Sequence, residues 1–234
     1  MTPARSGWHS GPMHALERRW LADCTAAAPQ APHDTVAEAG RDLLGRRGQA
    51  HRRYHDATHL AEVLTAVDTL CAAEEAPTGD RIVARLAAWF HDAVYAVEPV
   101  ASAAANEAES AALADRLLGT LGVDAATRAR VTASVLDTAD HGLSAAAATD
   151  RARIVLHDAD LWVLAAPVAR FDEYCTQVRA EYAHVPAATY ARERSTVLRP
   201  FLVRDHLYRT AHARDTWEPS ARENLARELT RLAG

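Results

Sequence analysis

The sequence predicts an all-α fold, a single helical bundle. Three observations predict it. Apolar residues recur at helical spacing along nearly the whole chain, alternating strand patterns are almost absent, and the joints carry Gly and Pro and are too short to separate domains. At 234 residues the chain can bury a substantial core.

The elements follow in order. Residues 1–12, "MTPARSGWHSGP", read as a loose tail. They lack the apolar run of a signal peptide, and the helical domain is expected over 13–234. "MHALERRWLADCTAA" and "HDTVAEAGRDLLGRRG" are two amphipathic helices, the second closed by Gly48. "HLAEVLTAVDTLCAAEE" is a third, ended by Pro77. "TGDRIVARLAAWFHDAVY" starts at Thr78 or Asp80 as cap and carries Ile82, Leu86, Trp89 and Phe90 on its apolar side. "ASAAANEAESAALADRLLGTLG", "DAATRARVTASVLDTADH" and "TDRARIVLHDADLWVLAA" come next, the last stopped before Pro167. Two longer stretches, 168–184 and 187–212, precede a final helix from Ser220.

Composition excludes several functions. A net charge of −5 and a pI near 6.2 give no basic field for nucleic-acid duplexes. All 26 basic residues are arginine, so neither a P-loop lysine nor a Schiff-base lysine exists. Cys24, Cys71 and Cys175 form no CxxC pair and are expected to be small buried hydrophobes. No apolar run reaches the roughly 20 residues that span a bilayer, so a cytoplasmic protein without a membrane partner is expected.

Polar residues inside the most apolar helices are the functional signal. "AAWFHDAVY" sets His91 and Asp92 among Trp89, Phe90, Val94 and Tyr95, and "IVLHDADLWVL" does the same with His157, Asp158 and Asp160. A buried carboxylate costs several kcal/mol unless it is paired or bound to a cation. His55 and His59 in "RRYHDATH" are four apart, a spacing that would share a helical face. One divalent metal would compensate all these groups together. Imidazole with carboxylate suits Mn, Fe, Co, Ni, Zn or Mg. Asp158 and Asp160 stand about 200° apart around a helix, so one ion can hardly meet both. His157 and Asp160 share a face, and the choice within each pair stays open at this point.

The order His59, His91-Asp92, Asp160 resembles the H…HD…D signature of the HD-domain metal-dependent phosphohydrolase superfamily. "RRYHDATH", "WFHDAVY", "NEAESA", "HDADLWVL", "VRAEYAHV", "YARERSTVLRPFL" and "LYRT" are similar to blocks of its predicted HD-superfamily phosphohydrolase family of bacteria, over about Arg52 to Thr210. The resemblance implies an HD-type helical bundle with His59, His91, Asp92 and Asp160 as metal ligands. Asp158 then stands behind them, orienting an imidazole. His55 matches the general-acid histidine of the related cyclic-nucleotide phosphodiesterases. The family has Gly-Arg where this chain has Glu193-Arg194, and the loss of that glycine would alter close backbone approach there.

Further candidates follow. Glu107 in "NEAESA" positions the attacking water or is an ordinary exposed helix glutamate. His141 ends a helix, where a cation suits the dipole, and stands behind the ligands with a role toward substrate or a second metal. Arg52, Arg53, Arg179 and Arg194 are candidates for phosphate, which a guanidinium grips with two donors. The expected activity is metal-dependent hydrolysis of a phosphate ester, with a nucleotide as the candidate small phosphorylated partner, one divalent ion as cofactor and a metal-bound water as nucleophile. The alternatives are a di-iron oxygenase of HD type, using His141 and His157, and a ligand-binding or regulatory HD protein with little turnover.

Overall fold

The computed structural model describes residues 11–97, 103–142 and 147–234. It is 77% helical, and no strand occurs among the described residues. The all-α bundle is thus observed. Among the described residues eleven helices make it: α1 (Gly11–Ala27), α2 (His33–Arg47), α3 (Ala57–Ala73), α4 (Thr78–Phe90), α5 (Ala103–Thr120), α6 (Ala125–Leu136), α7 (Arg151–Asp160), α8 (Val168–Glu181), α9 (Ala187–Val203), α10 (Ala211–Thr216) and α11 (Glu218–Ala233). Gly11 and Pro12, expected in the loose tail, instead begin α1, and residues 1–10 lie outside the described residues. No helix among the described residues is long and apolar enough to cross a membrane.

Helices α3, α4 and α7 pack on one another at the centre. Their apolar faces supply Leu60, Val67 and Leu70, then Leu86, Trp89 and Phe90, then Val155 and Leu156, all buried. The α1–α2 and α5–α6 pairs flank this trio, and α11 closes the far side against α9 and a 3₁₀ turn over Leu161–Ala165. The three cysteines are buried free thiols, as expected.

Helix ends depart from the sequence reading where tertiary partners capture the backbone. Periodicity carries α4 through Tyr95, yet the helix stops at Phe90. Ser110 of α5 bonds both the N–H and the C=O of Val94, and Asn106 does the same for Ala96. Two side chains of the "NEAESA" block thus hold the chain after α4 out of helical register. The 187–212 stretch likewise splits into α9 and α10, with residues 204–210 non-helical between them. The last helix begins at Glu218, two residues earlier than expected.

Gly40 in α2 lies in close contact with Trp20 of α1. A Cβ there would lie 2.4 Å from Trp20 Cδ1. Trp20 cannot easily retreat, because its Nε1 donates to Val36 O at 2.7 Å and its ring meets Trp89 edge-on at 5.2 Å. Helix propensity alone would make Gly40→Ala stabilising by up to about 1 kcal/mol. Overpacking should reverse the sign and cost about 1–3 kcal/mol. The midpoint of urea unfolding measures this, and a raised midpoint would show that the Trp20 ring gives way.

Candidate metal centre

Three helix ends build the site. His59 lies in the first turn of α3, whose N-cap Asp56 accepts from the Thr58 and His59 amides. His91 and Asp92 follow the last turn of α4, and Asp160 is the last residue of α7. His91 Nδ1 donates to Ala88 O at 2.7 Å, which turns Nε2 inward. The two Nε2 atoms of His59 and His91 stand 3.0 Å apart. Asp92 Oδ2 lies 3.4 Å from His59 Nε2 and 3.2 Å from His91 Nε2. Asp160 Oδ1 lies 3.3 and 3.5 Å from the same two atoms.

This donor set fits a divalent cation. Donors on one ion at ~2.1 Å lie roughly 3.0–3.4 Å apart, between octahedral and tetrahedral edges. The observed separations fall in or next to that range. Among the described residues, donor atoms of His59, His91 and Asp160 all lie within 4.8 Å of one another. Two carboxylates balance a double positive charge, and two imidazoles complete a set suited to transition metals or Mg. The electrostatics without such an ion are telling. Burial would depress the His59 imidazole, but Asp160 and Asp92 outweigh it and hold it at about 9. Burial would likewise raise Asp92 and Asp160, but the facing histidines hold both carboxyls well below the usual range. The cluster needs positive charge at its centre, and a proton supplies it when a cation does not.

The other sequence candidates divide. His55 is not on the helix with His59. It precedes the cap Asp56, because that cap's side chain ends the helix two residues short of it. His55 nevertheless stays close, ring centroid 5.7 Å from that of His59. Glu107 is buried, so the exposed-glutamate reading is excluded. Its Oε2 has no hydrogen-bond partner, and burial, with the charges of Asp92 and Asp160, pushes the carboxyl up to about 7. His141 Nε2 lies 3.6 Å from Asp160 Oδ2, and burial pushes its imidazole down to about 4. Asp158 does stand behind an imidazole, accepting from His157 Nδ1 at 2.8 Å, but that ring is none of the four ligands. Asp158 also accepts from the Arg209 and Thr210 amides and the Thr210 hydroxyl.

The arginines expected at phosphate are mostly committed elsewhere. Arg52 donates to the carbonyls of His55, Asp92 and Ala93. Arg179 donates to Tyr182 O and Val185 O, closing the end of α8. Arg194 donates to the Tyr174 hydroxyl and lies over that ring. Arg53 is exposed. Glu193, standing where the resembled family has glycine, is exposed in α9 and pairs with Arg192 at 2.9 Å.

Sequence reading missed Glu181 and Arg47. Glu181 Oε1 accepts the amides of Arg53, Tyr54 and His55 at 2.8–3.0 Å. Its Oε2 accepts His55 Nδ1 at 2.7 Å and the Tyr95 hydroxyl at 2.9 Å. A signal existed, since a carboxylate as the last residue of a helix stands against the dipole. Arg47, fully buried at the end of α2, lies 3.7 Å from Asp92 Oδ2. No family model matches the chain, and no curated protein matches it.

Two outcomes follow. Asp92→Ala should lose the bound metal, about one ion per chain in the parent protein, by elemental analysis. Full occupancy in that variant would remove Asp92 from the ligands. Burial opposes ionisation of Glu181, but the His55 hydrogen bond and the three amides win and hold it at about 2, against an ordinary 4.5. A depressed carboxyl contributes stability above pH 4.5 that is lost as pH falls toward 2. Glu181→Gln should therefore lower stability at neutral pH and flatten the acid limb between those values in pH-dependent unfolding. An acid limb as steep as the parent's would assign that loss to other carboxyls.

Proposed function

We propose that this chain is a metal-dependent phosphohydrolase of HD-superfamily type that cleaves a phosphate ester, a nucleotide being the candidate substrate. The observation that carries the reading is the convergence of His59, His91, Asp92 and Asp160 next to a histidine fixed by a carboxylate, His55 on Glu181. A divalent ion held by those four residues would lower the pKa of a coordinated water and offset charge on the phosphoryl oxygens.

The chain's own residues divide the remaining work. Glu181 is ionised at neutral pH and can only accept, so His55 Nδ1 carries the hydrogen of their bond. That leaves His55 Nε2 as the atom that gives a proton to the departing oxygen. The ring cannot rotate away, because Tyr95 stacks on it at 4.2 Å while bonding the same Glu181 oxygen. Tyr54 packs beside both imidazoles, 4.9 Å from His55 and 4.6 Å from His59. Glu107, near neutrality in its affinity for a proton, is placed to exchange one with water beside Asp92 and Asp160.

A second reading, the di-iron oxygenase, draws on one observation. The His141 and His157 rings lie 5.6 Å apart, and each has a buried nitrogen without a hydrogen-bond partner.

A general acid contributes about 10²–10⁴-fold. With Mn or Co and a panel of nucleotides, His55→Ala should keep its metal and lose turnover by that factor. It should lose less on an activated aryl phosphate, whose leaving group needs no proton. His59→Ala should lose metal and turnover together. Full turnover by His55→Ala on an alkyl ester would remove the proposed role. Two irons per chain with dioxygen consumption, and no ester cleavage, would put the oxygenase in its place.

A further inference from the structure

Of the guanidiniums expected to hold phosphate, Arg52 and Arg179 bond carbonyls and Arg194 bonds a tyrosine hydroxyl. A different set surrounds a cleft of about 490 Å³ lined by Gly142, Arg204, Asp205, His206, Arg209 and Arg214. This segment between α9 and α10 is non-helical yet rigidly anchored. Glu218 accepts the amides of Leu207 and Tyr208, and Asp158 those of Arg209 and Thr210. Buried carboxylates therefore fix the backbone that carries Arg209, while Arg204 caps the end of α9 and Arg214 lies in α10.

The donors of these arginines are largely unspent. A guanidinium has five N–H groups. Arg204 donates Nη1 to His141 O at 3.1 Å, and Arg214 donates Nε to Tyr208 O at 3.0 Å. Arg209 Nε is buried with no hydrogen-bond partner. Of the acids nearby, Asp158 and Glu218 are spent on backbone amides, Asp205 lines the cleft, and Asp140 acts on Arg204 from a distance while its Oδ1 accepts the Gly142 amide. Burial lowers the Arg204 pKa and the charge of Arg209 lowers it further, outweighing the opposing charge of Asp140.

The cleft adjoins the metal centre through His141. That residue adopts φ 50°, a left-handed conformation uncommon outside glycine and frequent at functional sites. Its carbonyl meets Arg204 while its Nε2 lies 3.6 Å from Asp160 Oδ2. One strained residue is thus the wall between the arginines and the ligands.

We propose that Arg204, Arg209 and Arg214 form a second phosphate subsite, so that the substrate carries two phosphate groups, one at the metal ligands and one in this cleft. The assignment of the first phosphate rests on the hydrolase reading above. Three guanidiniums with free donors match the oxygens and charge of a phosphate group.

The test uses the whole chain freed of metal by chelation, titrated with inorganic phosphate by calorimetry. With the metal removed, binding reports the arginine cleft alone. One phosphate per chain should bind, and a hydrogen bond to a charged group is strong enough that Arg209→Gln should weaken it about tenfold or more. Arg209 has no side-chain bond at Nε to lose, so this variant should fold, and its thermal unfolding checks that. Arg204→Gln, which does lose the His141 contact, should weaken binding to a similar extent. No binding to the metal-free protein, or binding that both variants keep, overturns the subsite. Binding that appears only with metal and ignores the arginines also overturns it, while leaving the hydrolase reading intact. Binding that is intact in a protein unable to cleave any ester supports the subsite and counts against the reaction instead.

Discussion

Two carboxylates facing each other inside a helical core constrain everything around them. Asp92 and Asp160 both approach the His59 and His91 nitrogens within 3.5 Å. Neither could be ionised there without compensating charge, since a buried unpaired carboxylate costs several kcal/mol. The compensation is concentric. The imidazoles come first, then the buried Arg47 guanidinium behind Asp92. This requirement sets where helices end. His91 and Asp92 could not both face one point from a continuing helix, since successive residues project about 100° apart. The chain leaves the helix after Phe90, and the side chains of Asn106 and Ser110 satisfy the backbone it exposes.

The same economy recurs at greater distance. In an all-helical protein, residues that must point at one site from irregular backbone need their amides satisfied by something other than a ladder. Here buried carboxylates do it. Glu181 collects the amides of Arg53, Tyr54 and His55, and Asp158 and Glu218 collect those of residues 207–210. Each acid lies in a helix and holds a non-helical segment outside it, Glu181 and Asp158 one far away in sequence and Glu218 one 10 or 11 residues before it. One held segment carries His55, whose ring lies close to His59, and the other carries Arg209 of the arginine-lined cleft. Their positions depend on helix packing and not on local sequence.

That explains what could and could not be read beforehand. Helical class followed from periodicity, which local spacing determines. Histidine and aspartate inside the apolar α4 and α7 stretches betrayed the candidate metal cluster, because burial without compensation is costly whatever the fold. The shared helical face of His55 and His59 was an artefact of spacing, since Asp56 prefers to cap and so puts His55 outside the helix. Glu181 belonged to a block whose resemblance was visible, but its five bonds reach residues 86 to 128 positions away. Only tertiary structure brings those together.

The arginines show the limit most clearly. A guanidinium offers donors in several directions and can satisfy several carbonyls at once, as Arg52 does with three. In a chain whose basic residues are all arginine, that structural task competes with anion binding at every position. Adjacency to a ligand histidine in sequence therefore says little. What separates the two uses is whether the donors are consumed. Arg179 closes the carbonyls that end its own helix, whereas Arg209 lies in a segment whose amides are taken by Asp158 and Glu218 and whose carbonyls at Arg204, Asp205 and Tyr208 are served by Arg222 and Arg214. Among the described residues, the side chain of Arg209 is thereby left without a partner at Nε. The arginines that serve the segment's carbonyls are thus what leaves Arg209 available to an incoming anion.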